Sequence, residues 1–174
     1  MPKSDELLYR IEPLDKSRHD CTNFSCSLES LDHYLKGQAN QDRKRRIAAP
    51  FVLVEEGQGN VLGYYTLSAF SIHLENLPAD LARRLPHYPD VPATLLGRLA
   101  IDRKCQGMGW GELLLLDALD RSWEQSHKVA SFAVVVDVIN ERARNFYLHF
   151  GFQPIAGHPD RLFLTMKDIE ENLQ

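Results

Sequence analysis

Apolar positions along the chain change their period several times, and the changes divide it into strands and helices. Leu7 to Leu14, Pro50 to Glu55, Val61 to Phe70, Thr94 to Ile101 and Ser131 to Asp137 are short apolar stretches bounded by polar or turn-forming residues, and they predict strands. Glu56-Gly57-Gln58-Gly59-Asn60 carries the glycines of a hairpin turn, so the strands on either side are expected to pair antiparallel. Leu28, Leu31, Tyr34 and Leu35 have helical spacing, with Ser27 or Ser30 placed to cap that helix. Glu112 to Trp123 holds strong helix formers with apolar residues almost all round, the pattern of a buried helix. Ala143, Phe146, Tyr147 and Phe150 share one face of a further helix, which Asn140 caps and Gly151 stops. Phe152 to Ile155 and Arg161 to Met166 read as the last strands, joined by a turn over Gly157 to Asp160.

Three stretches are less regular. Ser17 to Phe24 is a polar connection, and Gly37 to Ile47 is polar and basic, open between a helix and a mobile segment. Within Ser71 to Val91, Leu77-Pro78 to Leu85 predicts a short helix, after which Pro86, Pro89 and Pro92 stop regular structure. Strands alternating with helices, with antiparallel pairs at both ends, predict an α/β (α+β) fold: one mixed, mostly antiparallel sheet flanked by helices. A length of 174 residues, 44% hydrophobic and 25% charged, suits a single domain over residues 1–174.

Composition narrows the setting. No apolar run reaches the length of a membrane span, and the opening MPKSDELLYR does not read as a secretory leader. Cys21, Cys26 and Cys105 leave an odd thiol and make no metal-ligand set, which points to a reducing cytoplasm. Seven scattered histidines lack paired zinc spacing, so no metal is expected. A net charge of −4 argues against a general nucleic-acid binder. Yet Lys36 to Arg46 concentrates Lys36, Arg43, Lys44, Arg45 and Arg46 against one acid, Asp42. From charge alone that segment is either a local surface for RNA phosphates or a solvated helix end.

The chemistry centres on Gln106-Gly107-Met108-Gly109-Trp110-Gly111, which joins the Thr94–Ile101 strand to the apolar helix. A glycine loop opening a helix offers backbone N–H groups at the positive end of the helix dipole, which suits a pyrophosphate. The same glycines also serve a tight turn, and the residues alone leave both open. No Gly-Lys-Ser/Thr follows, and the G-x-G-x-x-G spacing is absent, so neither a Walker loop nor a dinucleotide fingerprint fits.

Gln-x-x-Gly-x-Gly, with Gln106, Gly109 and Gly111 in register, resembles the acetyl-CoA loop of the GNAT N-acetyltransferase superfamily. The wider string LGRLAID…QGMGWG…LLLLDAL…VVVDVINERARNFYLHFGF resembles one branch of it, the acetyltransferase toxins of bacterial type II toxin–antitoxin pairs, which acetylate the α-amine of aminoacyl-tRNA. The resemblance runs from about Phe24 to Ile169. One departure is Ser27, where that branch usually carries glycine; another is Trp110, where related loops usually carry a smaller aliphatic and whose side chain is expected to pack against the protein.

The resemblance implies a set of roles. Gln106, Gly107, Met108, Gly109, Trp110 and Gly111 would cradle the acetyl-CoA pyrophosphate, mostly through backbone. Main-chain groups of Leu99, Ala100 and Ile101 would meet the pantetheine arm. Asn140 would contact that arm or cap its helix, and Tyr147, in Asn140-x-x-Ala143-x-x-x-Tyr147-x-x-x-Gly151-Phe152, would protonate the departing thiolate. With a pKa of about 10, against about 8.5 for a simple thiol, the phenol is protonated at neutral pH and can serve the departing thiolate. Arg43, Lys44, Arg45 and Arg46 are the candidate tRNA contacts. No general base stands out; Asp137, Glu141 and His149 are merely nearby in sequence. An α-amine, with a pKa of about 7.7–8.0, needs far less help than a lysine at about 10.4. The implied partners are acetyl-CoA, aminoacyl-tRNA, a ribbon-helix-helix antitoxin and a second copy of the chain. The alternatives are a GNAT enzyme acting on a small amine or a protein N-terminus, and a non-catalytic GNAT-like binding protein.

Overall fold

The computed structural model describes residues 8–173, so the strand expectation at Leu7 and the reading of the first seven residues lie outside it. A seven-stranded sheet has the order β1-β2-β3-β4-β5-β7-β6. Its strands are β1 Tyr9–Pro13, β2 Ala49–Glu55, β3 Val61–His73, β4 Asp90–Ile101, β5 Ala133–Asp137, β6 Gln153–Ile155 and β7 His158–Thr165. The helices are α1 Glu29–His33, continued through a π-helical turn Tyr34–Gln38 into α2 Ala39–Arg45, then α3 Ala79–Ala82, α4 Trp110–Ser126, α5 Glu141–His149 and α6 Met166–Leu173. β1 pairs antiparallel with β2, and β7 with both β5 and β6, while β4 and β5 run parallel. The sheet is therefore mixed and mostly antiparallel, as the pattern predicts.

The chain forms two compact units. The first comprises Met1–Thr66 and Arg98–Asp117. Its core packs Leu14, Phe24, Leu35 and Ala39 against Val52, Val54, Val61 and Tyr64. Tyr64 is sealed, its hydroxyl donating to the Leu31 carbonyl at 2.7 Å. Gly63 on β3 has no room for a side chain: a Cβ there would lie 2.7 Å from Ile101 Cδ1 and 3.1 Å from the Ala100 carbonyl oxygen. That close approach seats the end of β4, from which the glycine loop departs.

The second unit comprises Leu67–Gly97 and Ala118–Gln174. Ala133 to Val136 of β5 are all completely buried, which explains a continuous apolar run in place of alternation. Ile72, Leu77, Val91, Ala93, Ile155 and Phe163 complete that core.

Several expectations need correction. Neither Ser27 nor Ser30 caps α1; Leu28 holds the cap position without a side-chain bond, and the Asp32 carboxylate reaches back to accept from Cys26 N–H at 2.8 Å. Ser27 instead adopts φ +78°. This left-handed backbone explains why glycine suits the position, since a side chain there costs roughly 1–2 kcal/mol. Ser27→Gly is expected to raise the melting temperature by about 2–4 °C, read by thermal unfolding. Pro92 does not stop regular structure but sits in β4, exposed and near the strand's start, where a missing N–H is tolerated. β7 begins at His158, so the turn before it is shorter than Gly157 to Asp160. The Gly37–Ile47 segment, open in the sequence, is helical through Arg45 and closes at Arg46 with φ +58°. α6 was not anticipated; Thr165 Oγ1 accepts from Asp168 N–H at 3.1 Å at its start, and Met166 and Ile169 bury one face.

Candidate active site

The glycine loop belongs to the first unit, and its shape follows from a few polar ties. Buried Asp102 ends β4 and accepts from the N–H groups of Lys104 at 2.9 Å and Ser25 at 3.2 Å. Gln106 turns its side-chain amide inward, donating to the carbonyls of Ile101 at 3.1 Å and Cys26 at 3.2 Å. The Gln106 side chain is thus a brace, which leaves ligand contact in the loop to the backbone. Asp102 was missed in the sequence; its signal was an aspartate followed by the polar Arg-Lys turn it closes.

Gly107 and Gly109 adopt φ +81° and +82°, with open space where a Cβ would stand. The helix follows at once: α4 starts at Trp110, ahead of the expected Glu112, and its first turn closes with Leu113 N–H donating to the Gly109 carbonyl at 3.2 Å. The amides of Trp110, Gly111 and Glu112 precede that bond and have no carbonyl one turn back. Bare backbone at two left-handed glycines, leading to free amides at the positive end of a 17-residue helix, fits a pyrophosphate. Met108 is exposed at the tip. Trp110 is half-buried and packs edge-on against Tyr9, with ring centroids 5.0 Å apart, as its packing role requires. Gly109→Ala is expected to cost about 1–2 kcal/mol in the left-handed conformation and so to raise KM for acetyl-CoA roughly tenfold, measured by steady-state kinetics.

In the second unit Asn140 is the N-cap of α5, its side-chain oxygen accepting from Ala143 N–H at 2.8 Å. Capping is therefore the role of Asn140 Oδ1. Two turns on, the Tyr147 ring is buried and packs edge-on against Phe146 and Phe152 at 5.2 and 5.3 Å. Among the described residues its hydroxyl has no hydrogen-bond partner, yet no buried side-chain oxygen is left unsatisfied. The hydroxyl is therefore the part of the ring that still reaches solvent. Burial alone pushes its pKa above the ordinary tyrosine value, so the phenol stays protonated across the neutral range.

The basic segment forms α2 in the first unit. Arg43 donates to Asn40 Oδ1 at 3.2 Å, and Arg43, Lys44, Arg45 and Arg46 are exposed with no salt bridge to any described residue. Asp42 forms no salt bridge with them and instead accepts from Tyr34 Oη at 2.9 Å and Gln38 Nε2 at 2.8 Å. The Arg98 guanidinium lies over the Tyr34 ring, 3.5 Å from its centroid. Burial and the Asp42 bond push the Tyr34 phenol up to about 12. This pillar of Arg98, Tyr34 and Asp42 holds the helix and leaves its cations outward. It was invisible in the sequence because it joins residues from distant elements.

A model of the Acetyltransferase (GNAT) family matches residues 17–152, which include the glycine loop, Asn140 and Tyr147. The chain belongs to the GNAT acetyltransferase family. A tRNA-acetylating toxin of Mycobacterium tuberculosis (strain ATCC 25618 / H37Rv) is 37% identical over 149 residues, covering 86% of this chain and 87% of the toxin. A solved structure of AtaT complexed with acetyl-methionyl-tRNAfMet superposes with a TM-score of 0.89 at 32% identity, covering 95% of this chain and 99% of AtaT. AtaTR bound with AcCoA is similar at a TM-score of 0.84 and 33% identity, covering 95% and 98% of the two chains. A tyrosine-to-phenylalanine mutant of the AtaT toxin bound to the C-terminus of the antitoxin AtaR is similar at a TM-score of 0.82 and 31% identity, covering 95% of this chain and 98% of that one.

As a GNAT acetyltransferase, the chain takes acetyl-CoA as co-substrate. Each neighbouring candidate for a base has a contact within the protein. Asp137 is held by Arg161 at 2.7 Å, Glu141 faces Arg144 at 3.6 Å, and His149 stacks edge-on against Phe150. Among the described residues no helix is long and apolar enough to cross a membrane.

Proposed function

We propose that residues 1–174 form one acetyl-CoA-dependent N-acetyltransferase domain that acetylates the α-amine of aminoacyl-tRNA and thereby blocks translation. The observation that carries the reading is the exposed, salt-bridge-free run Arg43 to Arg46 on an acetyltransferase of net charge −4. A negatively charged protein gains affinity for RNA only where cations are gathered and unpaired. The near-full-length likeness to a tRNA-acetylating toxin and to AtaT with an acetylated aminoacyl-tRNA supports the same substrate class.

Acetyl-CoA, when bound, supplies an activated acetyl thioester. The backbone of Gln106 to Gly111 holds its pyrophosphate, with Gln106 bracing the loop and Met108 and Trp110 flanking it. Main-chain groups of Leu99, Ala100 and Ile101 orient the pantetheine arm, and Asn140 fixes the start of α5. As the N–C bond forms and the C–S bond breaks, Tyr147 Oη gives its proton to the departing thiolate, and the proton shed by the acetylated nitrogen restores the phenol. An α-amine suits a site without a strong base, because its pKa of about 7.7–8.0 leaves a usable neutral fraction near neutral pH where a lysine at about 10.4 has almost none. The domain works in the cytoplasm as a homodimer, and its partner is an antitoxin of the ribbon-helix-helix class.

Cell-free translation tests the reading. Synthesis is expected to stop when the protein and acetyl-CoA are both present and to continue when either is omitted. Undiminished synthesis with both present, while a small amine is acetylated, would replace this reading with that of a small-amine enzyme.

A further inference from the structure

A second cationic feature lies in the first unit. Lys16, Ser17, Arg18, His19, Asp20, Cys21, Thr22 and Lys36 line an open pocket of about 600 Å³. Its charged residues differ in their partners. Arg18 is neutralised by Asp15 at 3.3 Å and Glu12 at 3.5 Å. The Asp20 carboxylate is drawn onto Thr22, accepting from its N–H at 2.9 Å and from its hydroxyl, which lowers its pKa. His19 is spent within the loop: its Nδ1 accepts from Asp15 N–H at 2.9 Å and its other nitrogen faces Glu12 at 2.7 Å. Lys16 and Lys36 remain, both exposed and neither in a salt bridge with a described residue. Both belong to the lining of the same pocket, one from the loop after β1 and the other from the helix. Two unpaired ammonium groups lining one concave surface suit a doubly accepting, anionic group such as a phosphate.

The place of Lys36 gives that group a source. It stands in the π-helical turn Tyr34–Gln38, on the helix whose other end carries Arg43 to Arg46. Seven residues at 1.5 Å each put Arg43 roughly 10 Å further along the axis. The wide turn that carries Lys36 departs from the regular helix, and Lys36 lines the pocket there. We propose that this pocket is a phosphate subsite that holds a backbone phosphate of the RNA substrate, extending the track begun by Arg43 to Arg46. The inference rests on the aminoacyl-tRNA reading above and adds a second anchoring point to it.

The test compares wild type with the pair Lys16→Gln/Lys36→Gln, and with Lys16→Arg/Lys36→Arg, in binding aminoacylated tRNA across a series of KCl concentrations. The glutamine pair is expected to bind about tenfold more weakly, with a slope of log Kd against log[KCl] smaller by about one. The arginine pair keeps the wild-type slope, and all three share one KM for acetyl-CoA. If wild type acetylates charged tRNA and the glutamine pair binds it with unchanged affinity and slope, the pocket is overturned and the tRNA reading stands. A raised KM for acetyl-CoA with unchanged tRNA binding assigns the phosphate to CoA and also overturns the RNA subsite. Wild type that neither binds nor acetylates charged tRNA overturns both.

Discussion

Tyr147→Phe lowers kcat by at least about a hundredfold, the range that a positioned general acid contributes, while acetyl-CoA binding is unchanged. The two halves of this expectation have separate origins in the structure. The ring packs on Phe146 and Phe152 and is kept by phenylalanine, so α5 and its surroundings stay as they are. The hydroxyl bonds no described residue, so its removal strands no buried partner and costs little stability. What is lost is a proton donor at a phenol that burial keeps neutral. Because that pKa lies above the ordinary tyrosine value of about 10, the wild-type rate should not fall as pH rises from 7 to about 9. It should rise there, following the neutral fraction of the acceptor α-amine. Titration calorimetry with acetyl-CoA and a pH–rate profile read the two halves. Equal turnover in wild type and variant would remove Tyr147 from the chemistry.

Neutralising α2 has the second large effect. The variant replaces Arg43, Lys44 and Arg45 by glutamine and Arg46 by asparagine, since Arg46 holds a left-handed backbone that asparagine accepts. All four side chains are exposed, and the Tyr34–Asp42 and Gln38–Asp42 bonds that hold the helix are untouched. Specificity for charged tRNA, as kcat/KM, is expected to fall at least about a hundredfold, with the salt slope reduced by about three. KM for acetyl-CoA stays the same, because the loop that holds it is braced by Asp102 and Gln106. Full activity on charged tRNA in this variant would move the RNA surface elsewhere.

What could be read in the sequence was local. The glycine loop, the Asn140 cap and the aromatic face of α5 each follow from residue types at fixed spacings, and each stands where the pattern put it. The strands were legible in their apolar runs, though β3 and β4 extend to His73 and from Asp90 because exposed residues at their ends carry no apolar signal. Ser27 misled because a serine before a helix usually caps it, and only the backbone angle shows it serving as a left-handed turn. The short α6 was hidden among charges, its Thr165-x-x-Asp168 start being the one available signal. Gln106 was legible as part of the loop but not as its brace, since its acceptors lie at Cys26 and Ile101. The Arg98–Tyr34–Asp42 pillar and the Lys16–Lys36 pocket are long-range pairings of side chains, which no periodicity encodes.

Radiolabelled acetyl-CoA is offered to the protein with a pool of charged tRNA, the same pool stripped of its amino acids, and a panel of small amines. Label on charged tRNA alone, released as N-acetylamino acid on mild alkaline hydrolysis, is the predicted result. Label on the small amines alone, with none on charged tRNA, would contradict the account and return Arg43 to Arg46 to the role of a solvated helix end.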